Sequence, residues 1–313
     1  MGYKKLTNHF LLIVGLCILA YSQKSLANLT VGVAINDLSN PFFLQIVKGA
    51  KRKADELTNG TANILVVASD YSLDRQRWQL AQLVERNADI VVITAADQQA
   101  LAPDIKQAIK QGTQVIAVDV AAEGVVATVA TDNVKAGFQA CKHLISQLGG
   151  VGKIAIINGP NVSAVVDRVE GCKQAIAQAS GIQLLQIEAQ GQGSQAGGEQ
   201  AMKIILASYP DVSGVFAIND PSAIGAELEA QNRGKRSLVI TSVDGAPIMQ
   251  DALKNANALV SATAAQYPDL MAEKAVELGY QLKQGKKLSQ QIFLIDPSLV
   301  NKNNLMQYKG WAE

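Results

Sequence analysis

Carboxylate and amide side chains recur at one kind of position in this sequence, directly after short apolar runs. Asn36 follows the first run, Asp119 follows the fourth, and Asn219 and Asp244 follow two runs in the second half. Such groups exchange hydrogen bonds with neutral hydroxyls, and a charged acceptor makes the stronger bond. Each position also suits the N-cap of a following helix, which is the structural alternative. Together they predict a site for a small ligand rich in hydroxyl groups.

Two enzymatic functions are alternatives to a binding site. A glycosidase needs two carboxylates across a sugar, and Asp119 and Asp244 suit that role. Residues 191–196 match the dinucleotide-binding pattern, but they follow the second strand of their unit and not the first. Histidine-based triads and zinc sites are not expected, because the only histidines are His9 and His143. No Gly-x-Ser-x-Gly motif and no phosphate-binding motif occurs either. We therefore expect a binding protein, not an enzyme, that uses no cofactor and no metal.

The polar positions are spaced by alternating β-type and helical runs. The β-type runs are apolar almost throughout, which is typical of strands buried on both faces of a parallel sheet. The helical runs carry apolar residues three and four apart, with charges between them. The predicted strands are residues 29–35, 63–68, 89–94, 114–118, 153–157, 184–188, 214–218 and 238–243.

The alternation starts again after residues 125–133, which look like a passage from one half of the fold to the other. Helices are predicted over residues 42–57, 74–86 and 98–110, and one follows each strand of the second half. The sequence therefore predicts an α/β fold with two doubly wound parallel-sheet lobes. Ligands bind such sheets beyond the carboxyl ends of the strands, where the polar residues stand.

The N-terminal residues 1–27 have the three parts of a secretory signal. Lys4 and Lys5 precede an apolar run at residues 10–21, and Ser25 and Ala27 are the small residues expected before a cleavage site. The run is shorter than the roughly 20 residues that cross a bilayer as a helix. We expect cleavage of this signal peptide and a periplasmic mature chain that starts near Asn28.

The net charge narrows the choice of partners, and the cysteine content raises the question of a disulfide. The net charge of +1 favours neither nucleic acid nor an anionic membrane surface. Cys141 and Cys172 both fall on predicted helices, and two buried free thiols are the simpler expectation. A disulfide between them is the alternative, because export leads to an oxidising compartment.

The start of the first helix carries a distinctive segment, Ser39-Asn40-Pro41-Phe42-Phe43. Pro41 suits the first helical turn and Asn40 suits the N-cap. Neighbouring residues on a helix point about 100° apart, so Phe42 and Phe43 cannot both face the core. One of the two rings is therefore expected to line the cleft.

With this segment the chain resembles the periplasmic sugar-binding proteins of the ribose-binding type, which share their fold with the ligand domains of lactose-repressor-like regulators. The resemblance covers essentially the whole mature chain and keeps the order of the motifs. They lie at residues 40–43, 118–119, 131–133, 166–171, 216–220, 243–245 and 264–268. An N-terminal signal peptide in place of a helix-turn-helix argues against a regulator.

The resemblance implies the periplasmic binding protein-like I fold, in which two lobes close like a Venus flytrap. Three crossings are expected, near residues 131–132, 264–266 and 295–296. The first lobe would comprise residues 28–131 plus 267–294. The second lobe would comprise residues 132–266 plus 295–313.

The matching positions in relatives bind the sugar. The aromatic pair would stack on the ring, aspartates would accept hydroxyl hydrogen bonds, arginine would donate as a planar fork, and amides would do both. The implied ligand-binding residues are Asn40, Phe42, Phe43, Asp119, Arg168, Asn219, Asp244 and Gln266, with Asn36 and Gln192 as two further candidates.

The function implied is a monomer that captures a monosaccharide or related polyol and delivers it to the membrane permease of an ABC transporter. The alternative is a sensor that presents the ligand to a membrane chemoreceptor or histidine kinase. The pocket departs from the family pattern at three places, which leaves the identity of the sugar open. Val120 replaces a basic residue of pentose binders, residues 190–195 lack an expected aromatic, and Asn36 stands near a small hydroxyl position.

Overall fold

The computed structural model describes residues 28–311, which form two β-sheets with helices on both faces of each. The predicted α/β class with two lobes of mostly parallel strands is confirmed. The predicted signal peptide, residues 1–27, lies outside the described residues. Within residues 28–311, no helix combines the length and apolar character needed to cross a membrane.

The first sheet contains six strands, and all of its strand pairs are parallel. Numbered along the chain, they are β1 (Thr30–Ile35), β2 (Asn63–Ala68), β3 (Ile90–Ile93), β4 (Gln114–Val118), β5 (Ala127–Thr131) and β12 (Ile292–Ile295). Their order across the sheet is β12-β5-β4-β3-β1-β2. The helices are α1 (Pro41–Thr58), α2 (Leu73–Glu85), α3 (Ala102–Lys110) and α9 (Pro268–Lys283). One apolar core joins α1 and α9 to the sheet, and a second joins α2 and α3 to its other face.

The second sheet repeats this plan. Its strands are β6 (Gly152–Asn158), β7 (Ile182–Leu184), β8 (Ala189–Gln190), β9 (Gly214–Ala217), β10 (Val239–Asp244), β11 (Val260–Ala265) and β13 (Ser298–Asn301). The order is β13-β11-β10-β9-β6-β7, with β8 also paired to β6 and only β13 antiparallel among the described pairs. The helices are α4 (Asn133–Gln147), α5 (Ser163–Ala177), α6 (Gln195–Ser208), α7 (Asp220–Asn232) and α8 (Pro247–Lys254). Helices α4 and α5 cover one face, and α6 to α8 cover the other.

The chain passes between the sheets at three places. After β5 it enters α4 on the second sheet, after β11 it enters α9 on the first, and between β12 and β13 it returns. Ile295 pairs with Thr131 in the first sheet, one residue beyond the boundary predicted between residues 294 and 295. The lobe boundaries as folding units stay a prediction.

One predicted strand is wrong in its extent. The segment predicted as a strand over 184–188 is broken, because β7 ends at Leu184 and β8 begins at Ala189. Between these two points the partner strand β6 advances only from Ile154 to Ile157. The surplus residues loop out of the ladder, so apolar side chains at Leu185 and Ile187 do not mark a continuous strand.

Helices α4 and α5 pack closely enough for a covalent link. A Cβ atom on Gly137 of α4 would lie 1.9 Å from the carbonyl oxygen of Arg168 on α5, so only glycine permits this approach. One helical turn further along each helix, Cys141 and Cys172 form a disulfide with their Cα atoms 5.1 Å apart. The expectation of two free thiols is therefore wrong, and the disulfide alternative is the one observed.

Candidate functional site

A cavity of about 390 Å³ lies where segments that follow the strands of both sheets meet. This volume is within the usual range for small-molecule sites. The eight residues predicted from the family motifs all line it, namely Asn40, Phe42, Phe43, Asp119, Arg168, Asn219, Asp244 and Gln266. Their role as ligand contacts stays a prediction.

The N-terminus of α1 forms the first-lobe wall. The side chain of Asn40 caps the helix, since its Oδ1 accepts a hydrogen bond from the amide of Phe42 at 3.0 Å. Phe42 and Phe43 pack edge to face with ring centroids 5.5 Å apart. Both rings line the cavity, as the family resemblance implied, whereas helix geometry alone had led us to expect one. The wall therefore offers two aromatic surfaces at different angles.

Asp119 follows β4 with a left-handed backbone, φ 73°. The pKa of its carboxyl is raised to about 6, mainly by burial. The nearby Arg168 charge opposes this rise, and the Asp244 charge adds to it. Among residues 28–311, no donor makes a hydrogen bond to this carboxylate. The cavity thus contains an acceptor group whose hydrogen-bonding capacity is left for a ligand.

Arg168 enters the cavity from α5 and is 5% exposed. Its Nε donates to Asn133 Oδ1 at 2.8 Å, and its Nη1 donates to the Ile218 carbonyl at 2.9 Å and to Asp244 Oδ1 at 3.4 Å. No acceptor within the described part of the chain reaches Nη2. Three hydrogen bonds fix the orientation of the guanidinium plane. The N–H donors of Nη2 have no acceptor among the described residues and are available to a ligand.

Asp244 ends β10 and connects the cavity to the crossings. Gln266 Nε2 donates to Asp244 Oδ1 at 2.8 Å, and Thr131 Oγ1 donates to Gln266 Oε1 at 2.9 Å. Gln266 is 1% exposed, so this chain of bonds is shielded from solvent. Thr131 and Gln266 stand at two of the three passages between the sheets.

A further carboxylate, Asp220, lies behind the site and does not line it. It is fully buried and accepts hydrogen bonds from the Ser242 and Thr263 hydroxyls and from the Ala246 amide. Burial and the Asp244 charge raise the pKa of Asp220. Its role is structural, because it holds the loop after β10 in place.

Asn219 links the glycine-rich loop to the cavity. Its Oδ1 caps α7 through the amide of Ser222, and its Nδ2 donates to the Gly193 carbonyl at 2.9 Å. The loop is therefore fixed through its backbone. Gln192 in this loop is exposed and does not line the cavity. Asn36 does not line it either, because it is buried and its Oδ1 accepts from the Ser69 hydroxyl at 3.1 Å.

The sequence reasoning missed Trp311, which also lines the cavity. Its ring is 8% exposed, lies 5.8 Å from the ring of Phe42, and donates from Nε1 to the Gln266 carbonyl at 3.2 Å. A signal existed, because the chain has only two tryptophans. The other lining residues that were missed are Pro41, Pro221, Ala246, Pro247 and Ile248.

The arrangement suits reversible binding of a neutral polar molecule. Carboxylate, guanidinium and amide groups provide directed hydrogen bonds, and aromatic rings stack on C–H surfaces. Among the described residues, no group of three or more His, Cys, Asp or Glu side chains is placed to hold a metal ion.

Comparison with known proteins agrees with this fold. The model of the periplasmic binding protein domain family matches residues 31–287. The ribose import binding protein of Salmonella typhimurium is 31% identical over 284 residues, which is 90% of this chain and 93% of that protein. The ribose import binding protein of Bacillus subtilis is 31% identical over 266 residues, 84% of each chain.

Among solved structures, a periplasmic solute-binding protein of an ABC transporter from Actinobacillus succinogenes, with bound D-allose, superimposes with a TM-score of 0.82. It is 23% identical and covers 90% of this chain and 100% of its own, so it bears on the fold alone. The match to the family model and the identity to the ribose import binding proteins decide the class. This chain belongs to the periplasmic binding protein family.

Proposed function

We propose that this protein captures a monosaccharide or related polyol in the cleft between its sheets and delivers it to the permease of an ABC transporter. One observation carries the proposal. The Asp119 carboxylate accepts no hydrogen bond from the described residues, and it faces a cavity that also holds Arg168 and the Phe42 and Phe43 rings. A sugar hydroxyl is a donor that satisfies such a carboxylate without adding charge.

The relatives support the same ligand class. Two of them are ribose import binding proteins, and the structure that superimposes contains D-allose. A periplasmic location and a monomeric state follow as parts of the proposal. No observation favours the sensor alternative. A catalytic role is not expected, because the two cleft carboxylates, Asp119 and Asp244, serve binding here.

A thermal-shift screen of the protein, purified after expression of the full chain, tests the ligand class. Pentoses, hexoses, deoxysugars and polyols form the panel. A ligand at about 100 times its dissociation constant adds about 2.7 kcal/mol to the free energy of unfolding, so binders stand out. Mass spectrometry of the recovered ligand should show it unaltered, and a product peak would contradict the non-enzymatic role.

Variants then test the site. Asp119→Ala and Arg168→Ala should each weaken binding by about 2–5 kcal/mol, because each leaves a hydrogen-bonding group of the buried ligand without its partner in the protein. Asp251→Ala is the matched control, since its side chain is 76% exposed and pairs only with Lys254. Unchanged affinity in both site variants would contradict the assignment.

A further inference from the structure

One part of the second-lobe wall of the cavity is apolar. Its side chains are Pro221, Ala246, Pro247, Ile248 and Trp311. The only hydrogen-bonding group among these side chains is the Trp311 indole N–H, which is already bound to the Gln266 carbonyl. The side chains of this apolar part therefore offer a ligand no free donor or acceptor.

The backbone of this wall offers few donors as well. The N-terminus of a helix normally presents free amides that bind polar ligands. At the start of α7, the Asp220 amide donates to Asp244 and the Ser222 amide donates to Asn219, while Pro221 has no amide proton. These donors are therefore used within the protein.

The next helix, α8, repeats the arrangement. It begins at Pro247, which again lacks an amide proton. The preceding amide, that of Ala246, donates to the buried Asp220 at 2.7 Å. A ligand that approaches this side of the cavity meets mostly carbon atoms, because among the first amides of these two helices only that of Ile248 has no hydrogen-bond partner in the described residues.

Trp311 is held in this wall by its own segment. The Tyr308 hydroxyl donates to the Gly245 carbonyl at 2.9 Å, and Gly310 turns the chain with φ 69°. The positive φ favours glycine here, because other residues rarely adopt it, while the nearby side-chain amide of Gln250 could move aside. The indole N–H then faces Gln266, and the carbon surface of the ring is left for Phe42 and the cavity.

We propose that the site is built for a monosaccharide with an apolar edge, meaning a deoxysugar whose methyl or methylene group packs against Pro247, Ile248 and Trp311. This inference rests on the proposed function. A hydroxyl placed against these side chains would lose its bonds to water and find no partner among them. A methyl group there would instead leave water for a carbon surface.

Calorimetric titration with sugars that differ in one hydroxyl tests this inference. The pairs are D-galactose with D-fucose, L-mannose with L-rhamnose, and D-ribose with 5-deoxy-D-ribose. In at least one pair the deoxy member should bind about tenfold tighter or more, because an apolar pocket disfavours an added hydroxyl by roughly this factor or somewhat more. If the hydroxylated member binds as tightly or tighter in every pair that binds, the apolar-edge proposal fails and the proposed function stands. If neither these six sugars nor the wider panel bind, both fail.

The Ile248→Asn variant places a hydrogen-bonding group in the wall. Ile248 is 41% exposed, so the fold should tolerate the change. The preference for the deoxysugar should fall about tenfold, while Met306→Asn, at a side chain 95% exposed, should leave it unchanged. Trp311→Ala provides a second variant with the same expected direction. An undiminished preference in both wall variants would overturn the proposal.

Discussion

Replacing Asp119 by Asn should make the ligand-free protein more stable while it weakens sugar binding. The carboxylate is covered on folding without gaining a hydrogen-bond donor from the described residues, and burial is the main cause that raises its pKa from 3.8 to about 6. The folded protein therefore favours the protonated form of this group. An amide of the same shape removes the charge and keeps the packing.

The magnitude follows from the pKa difference. The interval between 3.8 and about 6 corresponds to about 3 kcal/mol at neutral pH, taken as an upper limit. Between these two pH values the folded state binds more protons than the unfolded state, so this group lowers stability as pH rises. Its cost is fully present above pH 6 and absent below about 4.

Urea unfolding of the ligand-free protein between pH 4 and 8 measures the effect. The Asp119→Asn variant should exceed the wild type by up to about 3 kcal/mol at pH 7.5, and the gap should close as pH falls through 6. Asp251→Asn, at an exposed carboxylate, should show no such gap. A gap that is absent at pH 7.5, or that grows as pH falls, would refute the reasoning.

Two further outcomes are expected. Replacing Cys141 and Cys172 together by Ser should lower the free energy of unfolding by about 3–4 kcal/mol, the loop-closure value for a separation of 31 residues, and urea unfolding with and without reductant measures it. Binding of the tightest sugar of the panel should reduce the radius of gyration in small-angle scattering, because contacts from both lobes favour the closed arrangement. Identical scattering profiles at saturation would argue for a preformed closed pocket.

The lobes could be predicted from sequence because their central strands are buried on both faces. The run Ile90–Ile93 is fully buried, and such apolar runs separated by amphipathic helices leave few alternative folds. Prediction failed where the ladder is irregular. Around Leu185 and Ile187 the apolar pattern continues although the chain leaves the strand. The pattern of apolar side chains does not reveal where extra residues interrupt strand pairing.

The site residues could be predicted in part because strand ends converge in a doubly wound sheet. Asp119 follows the end of β4 and Asp244 is the last residue of β10, so the ends of the predicted strands placed both at the edge where ligands bind. Trp311 could not be placed, because its position depends on how the segment after β13 folds back onto Gly245 and Gln266. The disulfide depended on the distance between two helices, which is set by the close contact at Gly137.

The same residues that line the cavity also hold the passages between the sheets. Arg168 is bonded to Asn133 at the start of α4, and Asp244 reaches Thr131 through Gln266. If the proposed ligand contacts of Arg168 and Asp244 hold, one or two hydrogen bonds connect the ligand to two crossings, without an intervening helix or loop. Because these bonds are buried, a shift in either side chain cannot be compensated by water. The proposed ligand site and the crossings between the sheets thus share one connected polar network, and we expect a change at Gln266 to affect both binding and closure.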